Sequence, residues 1–453
     1  MPLTNRRRNM IFLTIMLSCI LTSMLSTALT TALPPIIAEF DVSAAVGQWL
    51  TSGYSLVMGI LVLATAYLTA RVPTKKLYLS ALIVFTVGIG MDAVAPNFSV
   101  LMAGRILQAA GNGILLSLAQ VILLTIYPVD RRGSIMGIYG LAVSAAPIVA
   151  PTLTGLVVDV FGWHMIFEAL FVLCLLLCGL TLFTFSDLLE TKVQRFDVRS
   201  FLLCAIGYTG FLLGLGNLGV YGIRQWHTLL PLIAGILGGI WFIHRQMHLE
   251  APFLELRIFR DTTFRTAVLA SMLTYAVMIA ASTLQPFYIQ TVSGYSATVS
   301  GLVAMPGSLA MAIVSPFTGR IYDKMGIRKL FLIGSICMWI SSLLFVRLQL
   351  DTSMVYVACI NTIRTIAIGC LMMPLVTWGM SKLTHIQMPH GTALLTSLRT
   401  VSGAAGSAVF VSMMSAVAAA SSGIHGVQVA FFCISFLAAA QVALAFFCVR
   451  RTK

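Results

Sequence analysis

Ionisable side chains inside apolar stretches are the residues of this sequence most able to do chemistry. Arg105, Arg364 and Arg399 each lie well within such a stretch, and Asp92 and Glu168 lie near the ends of two others. An isolated charge is costly in an apolar medium, so residues of this kind are candidates for function. Burial favours the protonated form of a carboxyl group and a nearby arginine favours the charged form, so either carboxyl could bind and release a proton.

The apolar stretches that hold these residues are predicted to be membrane-spanning helices. Hydrophobic residues make up 59% of the 453 residues and charged residues 9%, whereas a soluble domain has about 25% charged residues. Fourteen windows are long enough to cross about 30 Å of hydrocarbon as helices. They are 11–37, 49–71, 77–95, 98–125, 134–158, 164–186, 200–221, 228–244, 265–290, 299–321, 328–347, 353–379, 391–419 and 425–449. The sequence predicts an all-α membrane protein whose first window is an uncleaved helix rather than a signal peptide.

The basic residues predict the orientation of these helices. If the N-terminus is inside, 23 of the 28 Lys and Arg residues fall in inner segments, and Arg224 and Arg347 alone fall in outer loops. This asymmetry agrees with the positive-inside rule and predicts that both termini are cytoplasmic. The basic residues are scattered rather than clustered, so the net charge of +14 indicates contact with anionic lipid rather than nucleic acid.

Two pairs of segments indicate an internal duplication. "AYLTARVPTKK" (66–76) resembles "GRIYDKMGIRK" (319–329), and "RILQAAGNG" from Arg105 resembles "RTIAIGC" from Arg364, at nearly equal offsets. The predicted organisation is an N-terminal six-helix bundle over 1–186, a linker region with two inserted helices over 187–264 and a C-terminal six-helix bundle over 265–453. A site between duplicated halves can be exposed to one side of a membrane and then to the other, as in transporters.

Several motifs stand in a characteristic order along the chain: "LTTALPPIIAEF", "QWLTSGY", "GRILQAAGNG", "APIVAPTLTGLVVDVFGWHMIF" and "GRIYDKMGIRK". With them the chain resembles the major facilitator superfamily, in its fourteen-helix drug/proton antiporter branch. "MMPLVTWGM" and "HGTALLTSLRT" are similar to the lincomycin-efflux subgroup. The resemblance implies the major facilitator fold, with two inserted helices, and a proton-coupled antiporter, not an enzyme, that exports amphipathic small molecules such as antibiotics by alternating access.

The segment "GLAVSAAPIVAPTLTG" (140–155) is similar to the antiporter motif of the fifth span. Its motif residues are Gly140, Pro147, Pro151 and Gly155. The last three are spaced four apart and therefore share one helix face. Small residues permit close helix packing and prolines bend the helix. The functional interpretation is a packed pivot between the two halves, and the alternative is an ordinary kinked helix.

The resemblance also implies a charge latch, formed by the loops after spans 2 and 10, that holds the outward-facing state. The first loop keeps Arg71 but has Ala70 where the family has an acid. The second loop has the complete motif, which comprises Gly319, Asp323, Gly326 and Arg328. An acid near a helix N-terminus is stabilised by the helix dipole, so the stronger latch is expected at Asp323. Alternatively, the basic residues of these loops serve membrane topology alone.

For transport, the resemblance implies that Arg105 faces the cavity and helps proton transfer by biasing a nearby carboxyl group, with Asp92 and Glu168 as candidates. The alternatives are an arginine that anchors helices and carboxylates that meet water at the membrane edge. The family's first-span acid is replaced by Leu25, which disfavours a strictly cationic substrate. The candidates for lining a substrate cavity are Tyr54, Gln108, Asn112, Gln120, Tyr139, Gln285, Tyr288, Arg364, Trp378 and Arg399.

Neither a cofactor nor a metal is predicted. No Walker-type phosphate loop occurs, so the proton gradient is the expected energy source. His244, His248 and Glu250 could suggest a metal site, but their segment alternates apolar and basic residues like one that lies on a membrane surface. The expected partners are an amphipathic small molecule, protons and the lipid bilayer, for a monomer in a bacterial plasma membrane. The alternatives are an uptake or lipid-handling transporter of the same fold and a non-transporting membrane sensor.

Overall fold

The computed structural model describes residues 5–42, 44–47, 49–189, 197–222, 224–249, 252–295 and 297–447. Within them, fourteen helices have at least 20 residues, and thirteen of these are long and apolar enough to cross a membrane. They are α1 (Asn5–Glu39), α2 (Trp49–Arg71), α3 (Thr74–Ala93), α4 (Phe98–Ile126), α5 (Arg132–Phe161), α6 (His164–Thr184), α7 (Val198–Tyr221), α8 (Trp226–His248), α9 (Thr262–Phe287), α10 (Ala297–Met325), α11 (Ile327–Val346), α12 (Met354–Met380), α13 (Met388–Ala420) and α14 (Gly423–Phe447).

Each window predicted from hydropathy coincides with one of these helices, with ends that differ by at most six residues. Local side chains explain several of the ends. The Asn97 side chain accepts a hydrogen bond from the Val100 backbone N–H and caps α4. Gly326 has a φ of +72°, a conformation that glycine adopts without strain, and it makes the sharp turn between α10 and α11 possible.

The helices pack as two groups, here called the first and second halves, which contact each other mainly through two pairs of helices. In the first half, α3 packs against α4 and α6, and α1 packs against α5. In the second half, α9 packs against α13, and α11 packs against α12 and α14. The halves meet where α5 packs against α10 and where α2 packs against α13. The inserted helices α7 and α8 pack against each other, and α7 also contacts α2 and α13.

The described apolar core shows at which end the halves are joined. One cluster contains residues of the first half alone and another contains residues of the second half alone. A third cluster contains residues of both halves. Its members include Leu63 of α2 and Met136 of α5 from the first half, and Leu394 of α13 and Met373 of α12 from the second. These residues lie toward the end of the bundle that carries the basic loops, here called the basic end. The halves are therefore closed upon each other at the basic end.

An ion pair joins the two inserted helices at the basic end. The Arg245 guanidinium of α8 contacts the Asp197 carboxylate at 3.0 Å, and Asp197 caps α7 by accepting from the Ser200 backbone N–H. Burial raises the pKa of Asp197, but hydrogen bonds from Ser200 and Arg245 outweigh burial and hold that pKa below its ordinary value. Asp197 therefore stabilises the folded chain in its charged form.

We expect Asp197→Ala to destabilise the protein at neutral pH by about 1–2 kcal/mol, because both the helix cap and the ion pair are lost. Since the pKa of Asp197 is lowered in the folded state, its stabilisation is present above the unfolded value of about 3.9 and is lost as the pH falls through the folded value. Thermal inactivation in detergent, measured across pH, checks this. Asp197→Asn keeps a capping side chain, so it should cost less; equal losses for the two variants would contradict this account.

The segment between α8 and α9 was predicted to lie on the membrane surface. Its described apolar residues instead pack in the core, so that prediction was wrong. Phe253, Leu254 and Ile258 are buried. The Phe253 ring stacks on Tyr67 of α2 with ring centroids 6.0 Å apart. The alternation of apolar and basic residues arises because the apolar ones face the helices while the arginines face outward. His244 and His248 both lie in the last two turns of α8 rather than in this segment, and Glu250 lies outside the described residues.

Candidate functional site

A cavity of about 350 Å³ lies between the halves. Its described walls come mainly from α1, α2 and α4 of the first half, and Tyr275 of α9 is the lining residue from the second half. Tyr54 and Asn112 are two of its polar wall residues, and the Asn112 amide donates a hydrogen bond to the Tyr54 hydroxyl at 2.7 Å. Both residues are among the predicted cavity candidates. The mixture of aromatic, amide and methionine side chains suits an amphipathic ligand.

A buried chain of polar side chains leads from the cavity wall into the first half. The Arg105 guanidinium lines the cavity and lies over the Tyr54 ring at 4.2 Å. Its Nη1 donates to Gln108 Oε1 at 2.7 Å, and Gln108 Nε2 donates to Asp92 Oδ2 at 2.6 Å. Arg105, Gln108 and Asp92 are each at most 1% exposed. Gln108 therefore connects the predicted arginine to one of the two predicted carboxyl groups.

The other oxygen of this carboxyl group, Asp92 Oδ1, has no hydrogen-bond partner among the described residues. A buried carboxylate oxygen without a donor is costly when charged, and a proton on it removes that cost. A glycine makes room for the group: a Cβ at Gly104 of α4 would overlap Asp92 Oδ1. The site thus combines one satisfied oxygen with one that is available to a proton.

Glu168, the other predicted carboxyl group, has a different environment. It lies in the first turns of α6 and is exposed. It makes no hydrogen bond or ion pair with any residue that the structure describes. The structure therefore joins Asp92, but not Glu168, to Arg105.

The second half contains a related arrangement without a carboxylate. The Arg364 guanidinium donates to Gln285 Oε1 at 2.8 Å and to Asn361 Oδ1 at 2.5 Å, and it lies 5.0 Å from the Phe345 ring centroid. Arg364 is 3% exposed and forms no ion pair within the described residues. Amide oxygens thus accept from the arginine in both halves, but the described chain in the first half continues from the amide to a carboxyl group.

Arg399 of α13 is a third buried cation, close to the cavity. It is 6% exposed, and its guanidinium lies 5.1 Å from the ring centroid of Tyr275, which lines the cavity. Its Nε and Nη1 atoms have no hydrogen-bond partner in the described structure. A buried guanidinium with open donors is a site for a hydrogen-bond acceptor.

The remaining cavity candidates lie away from its wall. Gln120 and Tyr139 are buried without lining the cavity, although Tyr139 belongs to the shared core at the basic end. Tyr288 donates to the Gln349 backbone carbonyl at 2.7 Å, and Trp378 packs in the core of the second half. A direct role for these residues with substrate stays a prediction.

Sequence reasoning missed several cavity residues. Ser18 and Thr22 of α1 line the cavity, as do Thr51 and Ser55 of α2. Each pair is spaced four residues apart, so a hydroxyl stripe on one face of an apolar helix was the signal that could have found them. Tyr275 carried no comparable signal, because a lone tyrosine in an apolar span is common.

The fifth-span motif is described in part. A Cβ at Gly140 would lie 2.7 Å from Met373 Cγ of α12, so this glycine permits close contact between the halves. Pro147, Pro151 and Gly155 fall within α5, but their side-chain surroundings lie outside the described part of the structure. The pivot interpretation of this motif therefore stays a prediction.

The last two turns of α10, which carry Gly319 and Asp323 of the predicted loop motif, make a direct contact between the halves. The Asp323 carboxylate accepts hydrogen bonds from the backbone N–H groups of Gly133 and Ser134 at 2.7 and 2.6 Å, in the first turn of α5. Unpaired N–H groups and the helix dipole both favour an anion at this position. A Cβ at Gly319 would overlap the Gly133 carbonyl oxygen, so glycine is needed for the close approach.

The other loop residues make different contacts. Arg71, of the motif that lacks the acid, is the last residue of α2 and donates from Nη1 to the Tyr67 hydroxyl of the same helix at 2.8 Å. Arg328 is exposed in the first turn of α11. Among the motif residues, Asp323 thus makes the described hydrogen bonds between the halves; the first loop has Ala70 at the equivalent position.

The chain matches the family described as Major Facilitator Superfamily over residues 15–407. It belongs to this superfamily. This chain is 36% identical over 375 residues to the "Uncharacterized MFS-type transporter YcnB" of Bacillus subtilis, and the alignment covers 82% of this chain and 79% of that one. It is 33% identical over 377 residues to the "Lincomycin resistance protein LmrB" of Listeria innocua, with the same coverage of 82% and 79%.

A solved structure shares the fold. The human organic anion transporter MFSD10 superposes with a TM-score of 0.72 at 13% sequence identity, over 97% of this chain and 99% of that one. The family match and the bacterial sequence relatives identify the protein as a membrane transporter of the multidrug-efflux-like subgroup rather than an enzyme, and as a multi-pass protein of a bacterial plasma membrane.

Proposed function

We propose that this transporter exports amphipathic small molecules, antibiotics among them, in exchange for protons by alternating access. The observation that carries the proposal is the buried chain from Asp92 through Gln108 to Arg105 on the cavity wall. It links a carboxyl group that can hold a proton to the surface that a substrate would touch. The similarity to lincomycin resistance proteins supports export of a drug.

Proton and substrate are coupled in this proposal through the charge of Arg105. When Asp92 is charged, its negative charge offsets that of Arg105 through Gln108. A proton on Asp92 removes this offset, and exchange requires that the protonated state bind substrate less tightly than the charged state. A ligand shifts a conformational equilibrium by as much as its affinity differs between the two states.

The alternating motion would occur at the contacts between the halves. With fourteen spans and both termini cytoplasmic, the basic end faces the cytoplasm. Asp323 of α10, hydrogen-bonded to the first turn of α5, then holds the cytoplasmic side closed. Opening that side would break two hydrogen bonds to a charged group, each worth about 1.5–3 kcal/mol.

The charges around the cavity favour neutral or anionic amphiphiles over permanent cations. Within the described helices, Arg105 on the cavity wall and Arg399 over Tyr275 are buried cations, and Asp92 is a buried carboxyl group behind the wall. Leu25, at the position of the family's acid, is 1% exposed and apolar. A permanent cation would meet repulsion here, because none of the described residues that line the cavity is a carboxylate.

Drug susceptibility in a host that lacks its own pumps tests this function. We expect resistance to lincosamides or to anionic amphiphiles, little resistance to quaternary cations, and loss of resistance with a proton uncoupler. Arg399→Gln should reduce resistance to the anionic compounds more than to neutral ones. Resistance that survives the uncoupler would remove the proton mechanism, and strong resistance to quaternary cations alone would contradict the charge preference.

A further inference from the structure

A second cavity, of about 630 Å³, lies beside the inserted helices and outside the site described above. Its walls come from α7 and α8, from α2 and α13, and from the segment that leads into α9. The volume is in the range of roughly 300–1,000 Å³ that ligand sites have. Because its walls include α2 and α13, the cavity contacts both halves of the transporter as well as the inserted pair of helices.

The cavity is apolar within and basic at its mouth. Phe242 and Met247 of α8, with Leu398 of α13, are among its apolar wall residues. Arg257, Arg260 and Arg265 also line it, and they come from the 3-10 helix Leu256–Arg260 and the first turn of α9. The three arginines thus stand at the level of the basic end.

The three arginines differ in the hydrogen bonds and ion pairs that they make within the described structure. Arg257 donates to the Met247 and Leu249 carbonyls and lies 3.9 Å from the Glu255 carboxylate. Arg260 and Arg265 are exposed and make no hydrogen bond or ion pair with any residue in the described ranges. Two guanidinium groups are therefore free to bind an anion.

The depth of the cavity matches one leaflet of a bilayer. Gly239 lines it nine residues before the end of α8, and Val401 lines it thirteen residues after the start of α13. At 1.5 Å per residue the walls reach about 13–20 Å from the basic end. Half of the hydrocarbon core is about 15 Å thick. An acyl chain can therefore extend inward from a head group held at the arginines.

We propose that this cavity binds an anionic phospholipid of the inner leaflet. Its phosphate lies against Arg260 and Arg265, and an acyl chain fills the space lined by Gly239 and Phe242. Basic pockets between membrane helices on the cytoplasmic side are suited to anionic head groups. The bound lipid contacts both halves, so it stabilises the state closed at the basic end. The inference does not depend on what the central cavity transports.

A glycine of the cavity wall gives a direct test. A Cβ at Gly239 would meet nothing within 4 Å, so Gly239→Leu adds a side chain that begins in open space on the cavity wall. Gly216 of α7 also has open space around it but does not line the cavity, so Gly216→Leu is the matched control. Native mass spectrometry of the purified protein, titrated with phosphatidylglycerol or with phosphatidylcholine of the same chains, counts the bound lipids.

We expect the unmodified protein and Gly216→Leu to retain phosphatidylglycerol in preference to phosphatidylcholine. Gly239→Leu should weaken binding of phosphatidylglycerol by at least about tenfold. Equal binding by Gly239→Leu and Gly216→Leu would overturn the proposal.

The exposed arginines supply a second variant that does not alter the packing. Arg260→Gln with Arg265→Gln should remove the preference for phosphatidylglycerol. Lys76→Gln with Lys329→Gln makes the same charge change at exposed positions of the basic end that do not line the cavity. A preference that survives in the arginine variant, or that is lost equally in the lysine variant, would overturn the assignment of the head group to the mouth of the cavity.

Discussion

Asp92→Asn is expected to abolish transport driven by a pH gradient while the protein still folds and binds substrate. Asparagine has nearly the shape of aspartate, and its oxygen can accept the hydrogen bond from Gln108 that Asp92 Oδ2 accepts at 2.6 Å. It cannot gain or lose a proton in the working pH range. In sealed vesicles with an imposed pH gradient, drug movement should fall to the background of vesicles without protein. Exchange of labelled for unlabelled drug without a gradient should continue.

Glu168→Gln is the matched control for this experiment, since it makes the same chemical change at the exposed carboxyl group of α6. We expect it to transport at nearly the rate of the unmodified protein. If Glu168→Gln were the inactive variant and Asp92→Asn kept its response to the gradient, the buried chain to Arg105 would not be the coupling element. The pair of variants thus decides between the two carboxyl groups that the sequence offered.

Gly319→Val is expected to slow transport by at least about tenfold, because it interferes with closure at the basic end. Even a Cβ at this position would overlap the Gly133 carbonyl oxygen, and valine is larger. The Asp323 carboxylate would then lose its approach to the α5 backbone N–H groups. The closed state would become less populated, so a cysteine placed at Met136, which is 0% exposed, should react faster with a water-soluble maleimide.

Gly301→Val on the same helix is the control, because a Cβ at Gly301 meets nothing within 4 Å. It should leave both the transport rate and the labelling of the cysteine at 136 unchanged. Rapid transport by Gly319→Val, together with slow labelling, would show that closure does not need the close approach of α5 and α10. Slow transport by both variants would assign the effect to α10 itself rather than to the contact.

The elements of this fold could be predicted largely because hydropathy and helix length are local properties. A window of about 20 apolar residues must form a helix in a bilayer, since every backbone polar group needs an internal partner. The predicted windows coincide with helices for this reason. The segment before α9 was misjudged because its apolar residues pack on Tyr67 of α2, which lies far away in the sequence.

The site could be predicted in part. Arg105, Asp92 and Gln108 could be selected because charge and amide groups are rare in membrane spans, and each is expensive to bury. That Gln108 joins the other two depends on how α3 and α4 are rotated and on the lack of a side chain at Gly88, where an added Cβ would lie 2.6 Å from the Gly104 carbonyl oxygen. Hydropathy carries no information about that rotation.

The sequence by itself determined the spanning elements, the uneven distribution of basic residues and the short set of polar groups inside the helices. The tertiary structure alone decided that Asp92 rather than Glu168 is linked to Arg105 through Gln108. It also decided that Arg399 lies over the Tyr275 ring, and that a cavity lined by arginines lies beside the inserted helices. The reason is physical: an apolar residue stays in the membrane whichever way it faces. A hydrogen bond requires its two atoms to lie within about 3 Å of each other, and such contacts are set by packing between distant parts of the chain.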